Sequence, residues 1–229
     1  NVITEVQKIT SIGEVNFAGD PKKIVLLDET IDNEFLKVSK SYSLAPEVIA
    51  PAKDMKIVFT PLHGTGITLV PKGLRSYGFE NIHIVEAQAV SDGNFPTVVS
   101  PNPEEKAAMK MAMELARDIN ADLVLATDPD ADRIGVGVKD TDGNYILLNG
   151  NQTAALLTYY LIKQWEAKGK LKGSEYIVKT IVTSDLISDI AGGAGVENFD
   201  VLTGFKWIAE VIRNLEGTKT FIGGGEESY

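Results

Sequence analysis

The most informative segment of this chain is residues 56–77, KIVFTPLHGTGITLVPKGLRSY. The run from Lys56 to Thr60 is mostly apolar and β-branched, which predicts a buried strand. Proline and glycine between Pro61 and Gly66 predict a turn, and the apolar spacing from Ile67 to Tyr77 predicts an amphipathic helix. A strand, a loop and a helix in this order are the basic unit of α/β proteins.

Strand and helix patterns alternate along the rest of the chain and restart after Asn149-Gly150. The further predicted strands cover residues 82–85, 122–127, 134–138, 176–182, a short stretch near Val201 and residues 220–223, with a hairpin turn at 141–144. The further predicted helices begin at Pro103 and cover residues 152–166, 185–191 and 206–214. We therefore predict an α/β protein of two three-layer α/β/α domains with mixed sheets, at residues 1–146 and 147–229.

For two of these helices the sequence also predicts the face that packs on the core, and for one of them the residue that caps its start. Asn102 is the expected N-cap of the first, with Pro103 at its first position and two glutamates facing the helix dipole. Its apolar face is expected to contain Ala108, Met111, Ala112 and Leu115. The helix at 152–166 is expected to pack through one face that carries Leu157, Leu161 and Trp165.

The composition is that of an ordinary soluble protein, with 44% hydrophobic and 24% charged residues. A formal net charge of −10, without a basic cluster, argues against nucleic acid and anionic membranes as partners. The absence of cysteine excludes disulfides, cysteine zinc sites and thiol nucleophiles. No apolar run reaches the roughly 18 residues of a membrane-spanning helix, and no signal-peptide pattern is present. We expect a cytoplasmic protein, and both ends of the chain suggest a piece cut from a longer polypeptide.

An acidic loop, Ala126-Thr127-Asp128-Pro129-Asp130-Ala131-Asp132-Arg133, directly follows a predicted strand. Alternate side chains of an extended loop share a face, so the three aspartates can converge on one point. Convergence of three anions is unfavourable without a cation, and Mg²⁺, which takes about six oxygen ligands, is the natural one. Arg133 can hold a carboxylate in place or contact a substrate phosphate. A solvated acidic turn is the alternative interpretation.

A calcium-binding EF-hand is excluded for this loop. Counted from Asp128, that motif requires glycine at its sixth position and glutamate at its twelfth. Arg133 and Lys139 stand at those positions.

The turn from Pro61 to Gly66 carries two glycines, whose neighbouring N–H groups can face an anion, although a simple tight turn explains them equally well. Leu69 stands where the dinucleotide fingerprint requires a third glycine, so a nicotinamide or flavin site is not supported. His63 either stabilises the turn or belongs to an active site. His83, within a predicted strand, is expected to be packed.

Two later loops are also candidate ligand sites. The loop Thr203-Gly204-Phe205-Lys206 opens a helix and suits an anion, or is an ordinary helix cap with an exposed lysine. The loop at residues 223–228, Gly-Gly-Gly-Glu-Glu-Ser, offers carboxylates and a hydroxyl to sugar hydroxyls, or is a flexible terminus. All four loops are expected beyond the carboxyl ends of strands, where ligands bind in open α/β sheets.

Five further motifs stand in order along the chain: Thr60-Pro61-Leu62-His63-Gly64, Asp92-Gly93-Asn94-Phe95-Pro96, Pro101-Asn102-Pro103-Glu104, Leu148-Asn149-Gly150-Asn151-Gln152 and Thr203-Gly204-Phe205-Lys206. Together with the acidic loop and Gly225-Glu226-Glu227-Ser228, they resemble the α-D-phosphohexomutase superfamily over nearly the whole chain. Within it, the chain is most similar to the branch of bacterial and animal phosphoglucomutases related to phosphopentomutase.

This resemblance implies roles for individual residues. Asp128, Asp130 and Asp132 correspond to the family's Mg²⁺ ligands, and Glu226 and Ser228 correspond to the residues that grip sugar hydroxyls. Gly204, Lys206 and Arg133 are the further expected substrate contacts, and Arg133 and His63 are candidate catalytic helpers.

The resemblance also implies an activity, namely the interconversion of hexose 1-phosphate and hexose 6-phosphate through a bisphosphate. The family's phosphoserine lies in the first of four domains and a phosphate-binding loop in the last. Ser100 lacks the histidine expected after that serine and is rejected as the nucleophile. The chain is therefore expected to be domains II and III, to bind sugar phosphates, and to be inactive without domains I and IV.

Two other functions remain open on the sequence. A metal-dependent phosphatase would use Asp128 as its nucleophile, although that chemistry normally places Thr or Val where Asp132 stands. A non-catalytic sugar-phosphate-binding module would need no nucleophile in the chain.

Overall fold

A computed structural model describes residues 2–227, and two β-sheets organise this part of the chain. The strands are β1 (Ile57–Thr60), β2 (Ile82–Ile84), β3 (Leu123–Thr127), β4 (Ile134–Lys139), β5 (Tyr145–Leu148), β6 (Glu175–Thr180), β7 (Glu197–Val201) and β8 (Thr220–Gly225). The α-helices are α1 (Val2–Val6), α2 (Glu29–Ser41), α3 (Gly66–Tyr77), α4 (Lys106–Ile119), α5 (Gly150–Ala167), α6 (Leu186–Gly193) and α7 (Phe205–Leu215). None of the helices within residues 2–227 is long and apolar enough to cross a membrane.

The first sheet has the order β2-β1-β3-β4-β5. Strand β1 pairs in parallel with β2 and β3, whereas β4 pairs antiparallel with both of its neighbours. The second sheet has the order β7-β6-β8, and both of its pairings are parallel. The predicted α/β class is confirmed. The prediction of a mixed sheet holds for the first sheet, while the second is parallel throughout the described residues.

The central strand of each sheet is buried because helices cover it. All four residues of β1 are buried, and one face of this sheet packs on α4 through Val58, Val124 and Ala126. In β6, Ile177 faces the core formed with α5 and α6, while Tyr176 and Val178 face α7. Alternate residues of β6 therefore serve two different apolar cores, as expected for a strand covered on both faces.

Helix α4 begins at Lys106, three residues later than predicted. The side chain of Asn102 accepts a hydrogen bond from the N–H of Glu104 at 3.0 Å, which forms a local turn, and Glu105 has an extended backbone with ψ 127°. The predicted face was also displaced, because the buried residues of α4 are Ala108, Met109, Ala112, Met113 and Ala116. Met111 and Leu115 lie at the edge of this core.

Other differences from the prediction involve helix faces and strand ends. In α5 the buried residues are Thr153, Ala155 and Ile162, whereas Leu157 is 52% exposed. This helix is apolar on several sides, so spacing alone did not identify the buried one. Strand β6 ends before Ile181, and β8 continues to Gly225. Helix α2, which begins after the capping side chain of Asp28, was not predicted.

Candidate functional site

A cleft of about 410 Å³ lies between the loops of the two sheets. The first sheet contributes Asp132, Arg133 and Ile134, and the second contributes residues 223–226. One wall is formed by α5, and the lining also includes Glu104, Phe205, Ile187 and residues 177–179 of β6. Loops from both halves of the chain therefore face one cavity, at the carboxyl ends of strands such as β3 and β8.

The acidic loop brings its three aspartates together. One carboxylate oxygen from each of Asp128, Asp130 and Asp132 lies within 4.8 Å of the others. Asp128 is buried and the other two are exposed, so the cluster opens to solvent on one side. This set of hard oxygen donors fits Mg²⁺, with room for water or a phosphate oxygen.

Arg133 holds the same loop in shape. Its backbone N–H donates to Oδ1 of Asp128 at 2.9 Å, and its Nε lies 3.9 Å from Oδ2 of Asp128 and 4.0 Å from Asp132. Burial raises the pKa of Asp128, the N–H of Arg133 opposes that shift, and the neighbouring Asp130 and Asp132 raise it further. A cation bound here would relieve the repulsion among the three carboxylates.

The turn at residues 61–66 contacts the acidic loop at Pro129. Both the N–H and the hydroxyl of Thr65 donate to the carbonyl of Pro129, at 2.8 and 3.1 Å. A Cβ atom on Gly64 would lie 2.5 Å from the same carbonyl oxygen, which is closer than atoms can approach. Gly64 is therefore required for contact between two loops, which favours the tight-turn interpretation of this segment.

His63 is buried beneath this turn. Its Nδ1 lies 3.1 Å from the carbonyl oxygen of Val90, and its Nε2 lies 2.8 Å from the hydroxyl of Thr97. Both ring nitrogens thus have protein partners. The other histidine, His83, contacts Oδ1 of Asn81 at 2.7 Å through its Nε2.

The predicted sugar-binding residues differ in their position relative to the cleft. The carboxylate of Glu226 lines the cleft and accepts a hydrogen bond from the N–H of Gly204 at 2.6 Å, so these two loops meet. Lys206 does not line the cleft, and its ammonium lies 4.9 Å from the centre of the Trp207 ring. Ser228 lies outside the described residues.

Two glutamates that the sequence did not connect meet at the start of α5. A Cβ on Gly150 would lie 2.5 Å from Oε1 of Glu104 and 2.6 Å from both carboxylate oxygens of Glu227. Glu104 precedes α4 in the first half of the chain, whereas Glu227 follows β8 in the second. Burial raises the pKa of Glu104, and the adjacent Glu227 carboxylate raises it further against the opposing charge of Arg133. The motifs around Glu104, Gly150 and Glu227 were visible in the sequence, but not their contact.

We predict that Glu104→Gln stabilises the protein at neutral pH. The pKa of Glu104 in the folded state lies above its ordinary value of 4.5, so the wild-type protein loses stability as the pH rises from that value through the folded-state pKa. Glutamine carries no charge and can donate to Glu227. Urea unfolding across this pH range should show little difference between the two proteins in acid and a growing difference toward neutral pH.

The matched control for this prediction is Glu114→Gln, on an exposed turn of α4, which should leave the pH profile unchanged. A Glu104→Gln profile that runs parallel to that of the wild type would contradict the prediction.

Lys179 is a second residue that sequence reasoning missed. Although its side chain is only 2% exposed, it lines the cleft from β6. Its ammonium contacts Asp200 at 2.9 Å, Asp185 at 3.2 Å and the carbonyl of Thr183 at 3.1 Å. Burial lowers the pKa of Lys179, but the bonds to Asp200 and Asp185 outweigh it, and the net shift is upward. This charged lysine therefore ties β6 to the loop that precedes α6 and to β7.

Comparison with known proteins connects these features. Residues 25–143 match the family model described as phosphoglucomutase/phosphomannomutase, alpha/beta/alpha domain II, and residues 149–229 match that of domain III. The phosphoglucomutase of Staphylococcus aureus strain MRSA252 is 44% identical over 179 residues, which are 78% of this chain and 32% of that protein. This chain thus spans only 32% of the length of that curated relative.

Two solved structures share the fold. A phosphoglucomutase/phosphomannomutase family protein from Burkholderia thailandensis superimposes with a TM-score of 0.64 at 18% identity, over 86% of this chain and 38% of that one. An N-acetylglucosamine-phosphate mutase in a substrate complex gives 0.59 at 16% identity, over 86% of this chain and 36% of that one. The matches to both domain models span the acidic loop and the loop after β8, which confirms the resemblance drawn from the motifs: the chain belongs to the phosphoglucomutase/phosphomannomutase family.

Proposed function

We propose that this chain forms the metal-binding and sugar-binding middle of a phosphohexomutase. The complete enzyme would interconvert hexose 1-phosphate and hexose 6-phosphate through a bisphosphate, using a phosphoserine outside this chain. The observation that carries this proposal is the convergence of Asp128, Asp130 and Asp132 beside a cleft that Glu226 also lines. Phosphoryl transfer needs positive charge close to a positioned substrate, and this arrangement provides for both.

Asp128, Asp130 and Asp132 would hold Mg²⁺. When bound, the ion would supply positive charge that offsets the developing charge on the transferring phosphoryl group. Arg133 supports this role in two ways, because its N–H orients Asp128 and the residue lines the cleft, where its guanidinium could contact a substrate phosphate.

Glu226 would bind sugar hydroxyls at the other side of the cleft, and the family resemblance gives Ser228 the same role. The hydrogen bond from Gly204 to Glu226 supports this role, since it holds an acceptor carboxylate in place at the cleft. Lys206 would reach substrate only after leaving Trp207, so we assign it a smaller part.

The partners of the chain would be hexose 1-phosphate, hexose 6-phosphate and hexose 1,6-bisphosphate, together with domains I and IV of the same polypeptide. The 32% coverage of the Staphylococcus aureus relative supports the expectation of further domains. Without a phosphoserine the chain alone would not turn over. We place the enzyme in the cytoplasm, where sugar phosphates are metabolised.

The proposal is tested by a coupled mutase assay on the intact polypeptide with Mg²⁺, offering glucose 1-phosphate, mannose 1-phosphate and ribose 1-phosphate in parallel with this chain alone. Conversion by the intact polypeptide and none by the chain is the expected result. Release of inorganic phosphate without isomerisation would instead indicate a phosphatase. No conversion by a folded, serine-phosphorylated polypeptide would overturn the proposal.

A further inference from the structure

A run of hydrogen-bonded side chains connects Thr60, at the end of β1, to His63 in the turn that contacts the acidic loop. The hydroxyl of Thr60 donates to Oε1 of Gln88 at 2.6 Å, and Nε2 of Gln88 donates to the hydroxyl of Thr97 at 3.1 Å. Thr97 in turn contacts Nε2 of His63 at 2.8 Å. Thr60 and Gln88 are completely buried and His63 is 3% exposed, so most of this run is sealed from water.

The partners of His63 determine which ring nitrogen carries the proton. The carbonyl of Val90 can only accept, so Nδ1 of His63 must be the donor in that contact. In the neutral ring, Nε2 is then an acceptor, and the hydroxyl of Thr97 donates to it. The geometry thus selects the Nδ1–H tautomer.

The backbone at this position is held in an unusual conformation. Leu62 and His63 have φ of 46° and 63°, in the left-handed region that non-glycine residues rarely adopt. The N–H of His63 donates to the carbonyl of Gln88 at 2.9 Å, and its carbonyl accepts from the N–H of Asp92 at 3.1 Å. With the two ring contacts, residue 63 is fixed at four points.

This fixed residue directly precedes the two that carry the acidic loop. Gly64 packs against the backbone of Pro129, and Thr65 donates twice to its carbonyl. Pro129 stands between Asp128 and Asp130, two of the three carboxylates that converge. The His63 ring is therefore connected to the carboxylate cluster through the backbone of residues 63–65 and the contacts that Gly64 and Thr65 make with Pro129.

We propose that His63 is a positioning residue for the metal loop, held as the Nδ1–H tautomer so that the turn at 61–66 presents a rigid support to Pro129. This inference rests on the proposed Mg²⁺ role of the three aspartates. It assigns the histidine to the geometry of the metal site rather than to proton transfer on the substrate.

The tautomer is directly measurable because the chain has only two histidines. Long-range ¹H–¹⁵N correlation of the imidazoles should show His63 protonated at Nδ1 and His83, whose Nε2 contacts Asn81, protonated at Nε2. An Nε2–H tautomer at His63 overturns the proposal.

The positioning role is tested by titrating this chain with Mn²⁺ and measuring the binding by calorimetry. The temperature is one at which urea unfolding shows that each variant is folded. His63→Asn keeps a residue that tolerates the left-handed backbone but removes the imidazole Nε2 acceptor. We expect its Kd for Mn²⁺ to rise about tenfold, as for other residues that orient metal ligands. His83→Asn is the matched control and should bind Mn²⁺ as the wild type does.

Thr97→Val provides a second variant, since Thr97 is exposed and its loss should not prevent folding. It should weaken Mn²⁺ binding in the same direction as His63→Asn. If Asp130→Asn abolishes Mn²⁺ binding while His63→Asn and Thr97→Val leave it unchanged, this inference is overturned and the proposed function stands. No Mn²⁺ binding by the unchanged chain overturns the proposed metal site, and this inference with it.

Discussion

Asp130→Asn in the intact enzyme is expected to lower the turnover number about a thousandfold while changing the KM for hexose 1-phosphate by less than about threefold. A bound metal ion contributes several kcal/mol to stabilising the transition state, and each 1.36 kcal/mol is a factor of ten in rate. Asparagine has nearly the same shape as aspartate but removes one of three converging charges. In the proposed function the sugar would be bound by other residues of the cleft, so binding of the substrate should be largely preserved. Steady-state kinetics at several Mg²⁺ concentrations would measure both quantities.

Asp142→Asn is the matched control for this experiment. Asp142 lies on the exposed hairpin turn between β4 and β5, so the same chemical change there should leave turnover unchanged. Excess Mg²⁺ should partly restore the Asp130→Asn variant if weaker metal binding is the cause. Full turnover of Asp130→Asn at ordinary Mg²⁺ would refute the assignment of the metal ligands.

Gly64→Ala is expected to give the second largest effect, a loss of about 1–3 kcal/mol in the free energy of unfolding together with weaker Mn²⁺ binding. The added Cβ would lie 2.5 Å from the carbonyl oxygen of Pro129 and 2.7 Å from its carbonyl carbon. Backbone atoms cannot rotate away as a side-chain end can, so one of the two loops must shift. Urea unfolding and Mn²⁺ titration of this chain would measure the two consequences.

Gly93→Ala is the control for this substitution. A Cβ at Gly93 would meet no atom within 4 Å, although this residue lies in a neighbouring loop of the same half of the chain. Its stability and Mn²⁺ affinity should match those of the wild type within error. Equal behaviour of the two alanine variants would show that contact with Pro129 does not determine the position of the acidic loop.

The outcome for individual residues shows where sequence reasoning was sufficient. The first strand and helix, at Ile57–Thr60 and Gly66–Tyr77, were predicted within one residue, because their apolar spacing and turn residues are local signals. The start of α4 was wrong, since the side chain of Asn102 forms a turn with Glu104 instead of capping the helix. That choice depends on a competition between two local hydrogen bonds, which spacing does not resolve.

In the candidate site, too, some features have a local sequence signal and others do not. The spacing of Asp128, Asp130 and Asp132 predicted their convergence, but the expected extended loop was wrong. The segment is a turn, in which the N–H of Ala131 donates to the carbonyl of Asp128 at 3.1 Å and Ala131 has a φ of 63°. The meeting of Glu104 with Glu227 and the burial of Lys179 had no such local signal. The turn role of His63, which the sequence left open, became visible only through partners at Val90 and Thr97, 27 and 34 residues further along the chain.

The sequence by itself determined the order of strands and helices from residue 56 onward, the acidic loop after a buried strand and the family to which the chain belongs. These properties follow from periodicity and from motifs that are each contained in a few consecutive residues. Tertiary structure decided which loops touch, since Gly64 reaches Pro129 and Glu226 reaches Gly204 only after the strands have taken their places in the sheets. Contacts between residues far apart in the chain depend on strand order and on packing at close range, and neither is encoded in any short segment.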